Sequence, residues 1–157
     1  MAQGEVPENL GLLWSFKTES WVNSSPVIGF GNVYIGSSDG KVYAINLLDG
    51  NQVWEFNTGD DVDAPPLILD GAIYVGNLSG EFFSLDAQTG SVLWEYQCGN
   101  SIYGSANWVL DPESRKKMIL VGSYDNRLYC FDATTRARSA SIIFFITVPM
   151  VRPVLCF

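Results

Sequence analysis

The acidic residues of the stretch GDDVDAPP are the clearest candidates for chemistry in this sequence. Asp60, Asp61 and Asp63 could offer carboxylate oxygens to a calcium ion. A complete calcium site needs about six or more oxygen ligands, however, and three aspartates beside prolines are typical of a solvated turn. We therefore treat the three aspartates as weak metal candidates and expect no metal site.

The sequence contains no histidine, which excludes a histidine-dependent triad, a histidine general base and histidine metal ligands. Its three cysteines, Cys98, Cys130 and Cys156, are far apart and form neither a CxxC motif nor an adjacent pair. We expect them to be mainly buried, reduced thiols. The sequence therefore identifies no catalytic residue.

Composition indicates a folded domain that does not bind nucleic acid. The chain has 157 residues, of which 47% are hydrophobic, and a net charge of −8 without any cluster of Lys or Arg. Because phosphate backbones are bound by positive surfaces, a nucleic-acid partner is not expected. The longest apolar run, residues 142–151, is too short to span a membrane. No secretory signal is visible near the start, and the compartment is left open.

A repeat of 40 residues organises the chain. Shifting the sequence by this length pairs Trp14 with Trp54 and Trp54 with Trp94, and it also aligns many Gly, Pro and Tyr residues. The third unit keeps the register to about Asp111 and then includes six extra residues around PESRKK. A constant offset over this length is a strong indication of repeat architecture.

Each unit divides into four short strands separated by turns rich in Gly and Asp. In the second unit, the predicted strands are 66–69, 72–77, 81–86 and 91–97. Four antiparallel strands per 40 residues are typical of a propeller blade, whereas the alternative, a β-sandwich, would not explain the fixed offset. The predicted fold is all-β, an incomplete β-propeller of about three four-stranded antiparallel blades.

The predicted boundaries follow from the repeat. An N-terminal extension, 1–11, precedes a repeat region, 12–135, and a non-repeat apolar tail, 136–157. Within the repeat region, the predicted segments are an extra outer strand at 12–17 and blades at approximately 20–57, 60–97 and 100–135.

The segments AINLLDGNQVW and SLDAQTGSVLW carry a family pattern of turn, glycine and tryptophan. They resemble the tryptophan-docking repeat of the PQQ-like (quinoprotein alcohol dehydrogenase-like) β-propeller family. The resemblance implies that Trp14, Trp54 and Trp94 pack between neighbouring blades and that Gly50 and Gly90 adopt positive φ. It also implies PQQ and calcium as possible cofactors. Family members are often periplasmic or cell-envelope proteins, but the location of this chain is left open.

Strand alternation places two sets of loops on the same face of such a propeller. These are the loops that enter each blade and the hairpins that join its second and third strands. We interpret this face as the candidate binding surface. Its predicted residues are Trp21, Asn23, Asp39, Asp61, Asp63, Asn77, Tyr103 and Asp125.

The resemblance argues against catalysis as well as for the fold. Dehydrogenases of the family carry adjacent cysteines and about eight blades, and neither is present here. We therefore expect no bound cofactor and predict a non-catalytic module for protein–protein interaction or scaffolding. The alternatives are a fragment of a PQQ-dependent quinoprotein dehydrogenase and an inactive remnant.

The tail departs from the repeat, since Arg136 stands where a turn glycine is expected and no tryptophan follows. Residues 142–148 could replace the outer strand of the third blade, or the tail could result from truncation or a frameshift. Three blades cannot close a ring, because closed propellers have about four to eight. We therefore predict a protein partner or self-association through the two open flanks.

Overall fold

In the computed structural model of the protein, the described residues are 11–133. Within this range the chain forms eleven strands and no helix, and the strands lie in three antiparallel sheets. Accordingly, none of the described residues belongs to a helix that is long and apolar enough to cross a membrane. The prediction of an all-β, incomplete propeller is confirmed.

The first two sheets are meanders in which each strand pairs with the next one along the chain. Blade 1 consists of β1 (Val27–Gly29), β2 (Asn32–Gly36), β3 (Lys41–Asn46) and β4 (Gln52–Asn57). Blade 2 consists of β5 (Leu67–Leu69), β6 (Ala72–Gly76), β7 (Glu81–Asp86) and β8 (Val92–Gln97). All four strands predicted for the second unit lie within one residue of these observed bounds.

Blade 3 contains three strands among the described residues instead of four. They are β9 (Asn107–Leu110), β10 (Lys117–Ser123) and β11 (Arg127–Asp132), in the order β11-β10-β9. Its β11 is therefore an edge strand within residues 11–133, whereas β3 and β7 are each covered by a fourth strand. The alternative that places a replacement strand at 142–148 lies outside the described residues.

Residues 12–17 do not form the predicted extra outer strand, since no strand is assigned to them. Among the described residues, no strand pairs with this segment, and the position beside β3 of blade 1 is already occupied by β4. The segment still packs against blade 1, where Trp14 and Phe16 cover the buried side chains of Val33, Ile35, Tyr43 and Ile45. One of the two flanks that we expected to be open is therefore partly covered.

The core lies between the blades. We name the packing between blades 1 and 2 seam 1, and the packing between blades 2 and 3 seam 2. In seam 1, Tyr34 and Val42 of blade 1 pack with Ile73 and Phe83 of blade 2. In seam 2, side chains on the other face of blade 2 pack with Ile119, Phe131 and neighbouring residues of blade 3. Blade 2 thus buries both faces of its sheet, which explains its nearly continuous apolar strands.

Candidate binding face and the seams that support it

The loops of the candidate binding face are fixed by backbone hydrogen bonds that recur in each blade. In each blade, a backbone carbonyl of the loop that enters the blade accepts a hydrogen bond from an amide of the hairpin between the second and third strands. The Ser38 amide donates to the Trp21 carbonyl at 2.8 Å, and the Leu78 amide donates to the Asp61 carbonyl at 3.0 Å. In blade 3, the Tyr124 amide donates to the Ser101 carbonyl at 2.9 Å. The face is therefore a built surface and not a set of loose loops.

Two of the predicted polar residues, Asn23 and Asp63, are joined through Ser38 by hydrogen bonds within the face. The Asn23 amide nitrogen donates to Asp63 Oδ1 at 3.2 Å, and it also contacts the Ser38 hydroxyl oxygen at 3.2 Å. The Ser38 hydroxyl donates to the same Asp63 oxygen at 3.1 Å. This network crosses from blade 1 to the loop that enters blade 2. Its first effect is therefore to hold two loops together.

Asp39 has a supporting position in blade 1. Its carboxylate accepts from the Tyr43 hydroxyl at 2.8 Å, from the Glu19 amide at 2.9 Å and from the Lys41 amide at 3.1 Å. Although partial burial alone would raise the pKa of Asp39, these hydrogen bonds hold it below its ordinary value. The carboxylate is thus an ionised anchor for the chain entering blade 1.

Asp125 repeats this arrangement in blade 3. It accepts from the Tyr129 hydroxyl, from the Gly99 amide at 3.1 Å and from the Arg127 amide at 3.1 Å. Burial would raise the pKa of Asp125, but the hydrogen bonds lower it below the ordinary value. Because Gly99 lies just after the outer strand of blade 2, Asp125 joins blade 3 to blade 2 across seam 2.

Asn77 does not present its side chain on the binding face, contrary to the prediction. The residue is fully buried. Its amide nitrogen donates to the Thr58 carbonyl at 3.0 Å and to Glu81 Oε2 at 2.8 Å, and its amide oxygen accepts from the Glu81 backbone N–H. A buried amide needs such partners, and the loop of the preceding blade provides one. Asn77 is a structural residue of seam 1.

The three aspartates of GDDVDAPP do not fit a calcium site. Asp60 accepts from the Ser79 hydroxyl at 2.5 Å and from the Asp61 amide at 2.9 Å, while Asp63 belongs to the network with Asn23. Among residues 11–133 no group of three or more acidic, Cys or His side chains is arranged to hold a metal ion. The carboxylates of Asp60 and Asp63 therefore accept from different partners.

Exposed aromatic side chains are the most distinctive feature of the face. Trp21 is 79% exposed, Tyr103 is 47% exposed and Tyr124 is 68% exposed. The rings of Tyr103 and Tyr124 contact each other with their centroids 4.7 Å apart. Tyr124 is absent from the predicted set. The repeat alignment nevertheless indicates it, since Tyr124 occupies the hairpin position of Ser38 and Leu78. Blade 3 thus has an aromatic pair where the Asn23 network lies in blade 1.

The docking tryptophans Trp54 and Trp94 lie at the seams, whereas Trp14 packs against blade 1. The indole N–H of Trp14 donates to the Leu47 carbonyl and that of Trp54 to the Ala87 carbonyl, both at 3.0 Å. Gly50 and Gly90 both have φ of 72°, and a Cβ at either position would lie less than 3 Å from the indole of the tryptophan. Each turn glycine therefore allows both the left-handed backbone and the close approach of the ring.

Trp94 packs in a different environment from that of the other two docking tryptophans. Its ring contacts Phe82 of its own blade at 5.8 Å and Phe131 of blade 3 at 5.3 Å between centroids. The third copy of the turn glycine would fall at Arg136, which lies outside the described residues. Seam 2 therefore holds its tryptophan by contacts between rings.

Two of the three cysteines are free and buried, as expected. Burial raises the pKa of the Cys98 thiol to about 12, and it also raises the pKa of Cys130. Both thiols are therefore protonated near neutral pH and poorly nucleophilic. Cys156 lies outside the described residues.

Consecutive meanders tied together by a tryptophan and a turn glycine define a β-propeller of PQQ-like repeats. The sequence profile of the family described as outer membrane protein assembly factor BamB matches residues 8–139. The chain belongs to this family. Among curated protein sequences, none matches the chain.

Solved structures with the same fold include natural and designed proteins. BamB from Moraxella catarrhalis is 24% identical, with a TM-score of 0.66 over 82% of this chain and 39% of its own. The computationally designed Ika4 protein is 15% identical, with a TM-score of 0.66 over 85% of this chain and 79% of its own. At these identities, both similarities concern the fold alone.

A third similar structure is the quinohemoprotein alcohol dehydrogenase from Comamonas testosteroni. It is 28% identical, with a TM-score of 0.66 over 86% of this chain and 23% of its own. The chain therefore spans about two fifths of the length of BamB and about a quarter of the length of this dehydrogenase.

Proposed function

We propose that the chain is a non-catalytic, protein-binding propeller module and that its contact surface is the loop face. The observation that carries the proposal is the exposure of Trp21, Tyr103 and Tyr124 on this face. Tyrosine and tryptophan are enriched at protein interfaces because each offers a large, fairly rigid apolar surface with a polar group at its edge.

The polar groups of the face support the same proposal. The carboxylates of Asp39, Asp63 and Asp125 accept hydrogen bonds from neighbouring loops and strands, which leaves them poorly placed to act as acids, bases or metal ligands. They stiffen the platform on which the aromatic side chains stand. A rigid platform reduces the entropic cost of binding a partner.

The comparisons supply a third line of support. The matched family is described as an outer membrane protein assembly factor, and one similar structure is BamB itself. Assembly factors act by contacting other proteins. We extend to this chain the general role of protein contact.

Site-specific photo-crosslinking tests the proposal. A photoreactive phenylalanine analogue replaces Trp21 or Tyr124 in the full chain, which is expressed in its native cell and irradiated. We expect a discrete adduct with another protein from both positions. In binding assays with the crosslinked partner, Tyr124→Ala is expected to reduce affinity about tenfold or more, as for an interface hot spot.

Leu48 provides the matched control. It is 87% exposed and lies in the turn between β3 and β4, at the opposite face of blade 1. The analogue at this position should give no adduct with the same partner. Equal crosslinking from Leu48 and Tyr124, or none from Trp21 and Tyr124, would contradict the proposal.

A fragment of a PQQ-dependent dehydrogenase is the second candidate function. The observation in its favour is the 28% identity to a quinohemoprotein alcohol dehydrogenase. This candidate predicts that PQQ with calcium quenches tryptophan fluorescence saturably and supports dye reduction by an alcohol. If no quenching occurs at high micromolar PQQ, this candidate is eliminated, and the protein-binding proposal is unaffected.

A further inference from the structure

The two seams share a contact between a glycine and a branched side chain. We call Gly36, Gly76 and Gly122 the seam glycines and Val22, Val62 and Ile102 the entry residues, because the latter lie in the loop that enters each blade. At Gly36, a Cβ would lie 2.4 Å from the Val62 side chain, and at Gly76 it would lie 2.4 Å from the Ile102 side chain. Blades 1 and 2 each therefore receive the entry residue of the following blade on their own seam glycine.

The two remaining members of these sets are unmatched, one at each end of the array. A Cβ at Gly122 would meet nothing within 4 Å. Val22 is 50% exposed, whereas Val62 and Ile102 are fully buried. Blade 3 thus has a seam glycine without an entry residue, and blade 1 has an entry residue without a seam glycine.

The sheet face around Gly122 is apolar, like the equivalent faces that blades 1 and 2 bury in the seams. Leu128 on β11 is 41% exposed, although its counterparts Val42 and Phe82 in the other two blades are fully buried. This apolar face continues the series of inner faces that blades 1 and 2 bury in seams 1 and 2. What it lacks among the described residues is the next blade.

The N-terminal segment shows a second complementarity between the two ends. Trp54 has two roles, since it pairs with Ala44 in the sheet of blade 1 and docks at Gly90 of blade 2. Trp14 docks at Gly50 in the same way but has no partner in a sheet, since residues 12–17 have no strand partner. In blade 3, by contrast, β11 is an edge strand within residues 11–133 and lacks an outer strand.

Backbone hydrogen bonds across the seams repeat the pattern once more. The amide of Val62 donates to the Ser37 carbonyl and the amide of Ile102 donates to the Asn77 carbonyl, both at 3.1 Å. By the same register, the amide of Val22 would donate to the Ser123 carbonyl of a preceding blade 3. No such bond is found within one copy among residues 11–133, where Val22 precedes blade 1 and Ser123 belongs to blade 3.

We propose that blade 3 of one copy receives the entry residue and the N-terminal segment of a second copy, so that two chains associate head to tail. Val22 packs on Gly122 of the partner copy, and residues 12–17 lie along its β11 as an outer strand. The described residues of two copies contribute six blades, which is within the range of about four to eight that closes a ring. The proposal does not depend on the protein-binding role.

Sedimentation velocity of the full chain at micromolar concentration is the first measurement. We expect a species with twice the 17.3 kDa mass of one chain. Val22→Glu and Gly122→Glu each place a charge in every seam between copies, and each alone should weaken dimerisation by about 100-fold or more. Circular dichroism checks that both variants remain folded.

Mixing the two variants distinguishes a head-to-tail interface from a symmetric one. In an equimolar mixture, the intact blade 3 of the Val22→Glu variant meets the intact Val22 of the Gly122→Glu variant. One of the two seams is thereby restored, so a mixed dimer should form although each variant alone is monomeric. A symmetric pairing of blade 3 faces would instead leave Val22→Glu dimeric.

Gly104→Glu is the matched control, since a Cβ at Gly104 also meets nothing within 4 Å. It should dimerise like the unchanged chain. Should Gly122→Glu fail to fold, Gly122→Val occupies the same space without a charge and should also weaken the dimer. A monomeric unchanged chain, a Val22→Glu dimer of unchanged affinity or a mixture that remains monomeric would overturn the proposal.

Discussion

Seams 1 and 2 join equivalent surfaces of successive blades, but their chemistry differs. In seam 1, the Thr58 hydroxyl donates to the Gly40 carbonyl at 3.0 Å, and Asn77 donates to the Thr58 carbonyl. The equivalent of Thr58 in seam 2 is the buried thiol of Cys98, which lies among apolar side chains. Seam 1 is therefore reinforced by buried polar hydrogen bonds at a position where seam 2 relies on packing.

Aromatic rings compensate for this difference in seam 2. Phe131 stacks on Phe82 with a centroid distance of 5.4 Å, and it also contacts Trp94 and Tyr96. Ring pairs of this kind add about 0.5–1.5 kcal/mol each beyond the burial of apolar area. The two seams thus share the glycine contact with the entry residue, while the interactions around it differ.

Removing a docking tryptophan should produce the largest change in stability and tests whether both seams depend on this residue. Trp54→Ala and Trp94→Ala should each lower the free energy of unfolding by about 3–5 kcal/mol, because both indoles are buried between blades. Chemical denaturation measures the loss. A loss of less than about 1 kcal/mol at either position would contradict a docking role there.

The conservative changes Trp54→Phe and Trp94→Phe provide the control. Of these two tryptophans, only Trp54 donates its indole N–H to a carbonyl among the contacts found within residues 11–133. Trp54→Phe should therefore cost about 1 kcal/mol more than Trp94→Phe. Equal losses would mean that seam 1 does not depend on this hydrogen bond.

Adding a methyl group to the seam glycines is the next test. Gly76→Ala should destabilise the fold by about 1–3 kcal/mol, because its Cβ would overlap the Ile102 side chain. Gly36→Ala should cost more, since its Cβ would also lie 2.5 Å from the Val62 backbone oxygen, which cannot rotate away. Gly122→Ala is the matched control, with an expected change within about 0.5 kcal/mol when the single chain is unfolded.

The sequence predicts most of the fold because each unit contains its own strands and turns. The predicted strand 81–86 coincides with β7, since its alternation and flanking glycines are local signals. Residues 12–17 show the limit of such signals. Their pattern is that of an outer strand, but a strand also needs a partner, and local sequence does not reveal whether one is present.

The candidate site was less predictable, because it depends on contacts between blades. Asn77 has the sequence position of an exposed turn residue, and its burial follows from the Thr58 carbonyl of the preceding blade. The position of Tyr124 on the binding face, in contrast, follows from the repeat. It requires that residue 124 be aligned with Ser38 and Leu78 across the six-residue insertion. Burial of a loop residue is a property of the neighbouring blade and not of its own unit.

Ser84 provides a smaller test of seam 2. Its hydroxyl oxygen is buried without a hydrogen-bond partner among the described residues, and the equivalent position of blade 1 is Ala44. Because an unsatisfied buried hydroxyl is unfavourable, Ser84→Ala should stabilise the protein by about 1 kcal/mol in thermal or chemical denaturation. The reverse change, Ala44→Ser, should destabilise seam 1. A loss of stability in Ser84→Ala would show that the hydroxyl is satisfied.

The smallest effect that we predict is a difference in acid sensitivity between the seams. Asp125 joins seam 2 through the Gly99 amide, whereas its equivalent in blade 2 is Ser79 and seam 1 uses the neutral amide of Asn77. The folded-state pKa of Asp125 is lowered. Its contribution to stability is therefore present above the unfolded pKa of about 3.9 and is lost as the pH falls through the lower, folded value.

Hydrogen exchange below about pH 4 can resolve the two seams, after correction for the intrinsic pH dependence of exchange. Protection of the Gly99 amide should fall with acid before that of the Val62 amide, which donates to a carbonyl across seam 1. In Asp125→Asn, protection at Gly99 should be weaker at neutral pH and should no longer change through this pH range. Parallel loss of protection at Gly99 and Val62 would instead mean that the blades unfold together. In that case, the chemical difference between the seams would have no consequence for local opening.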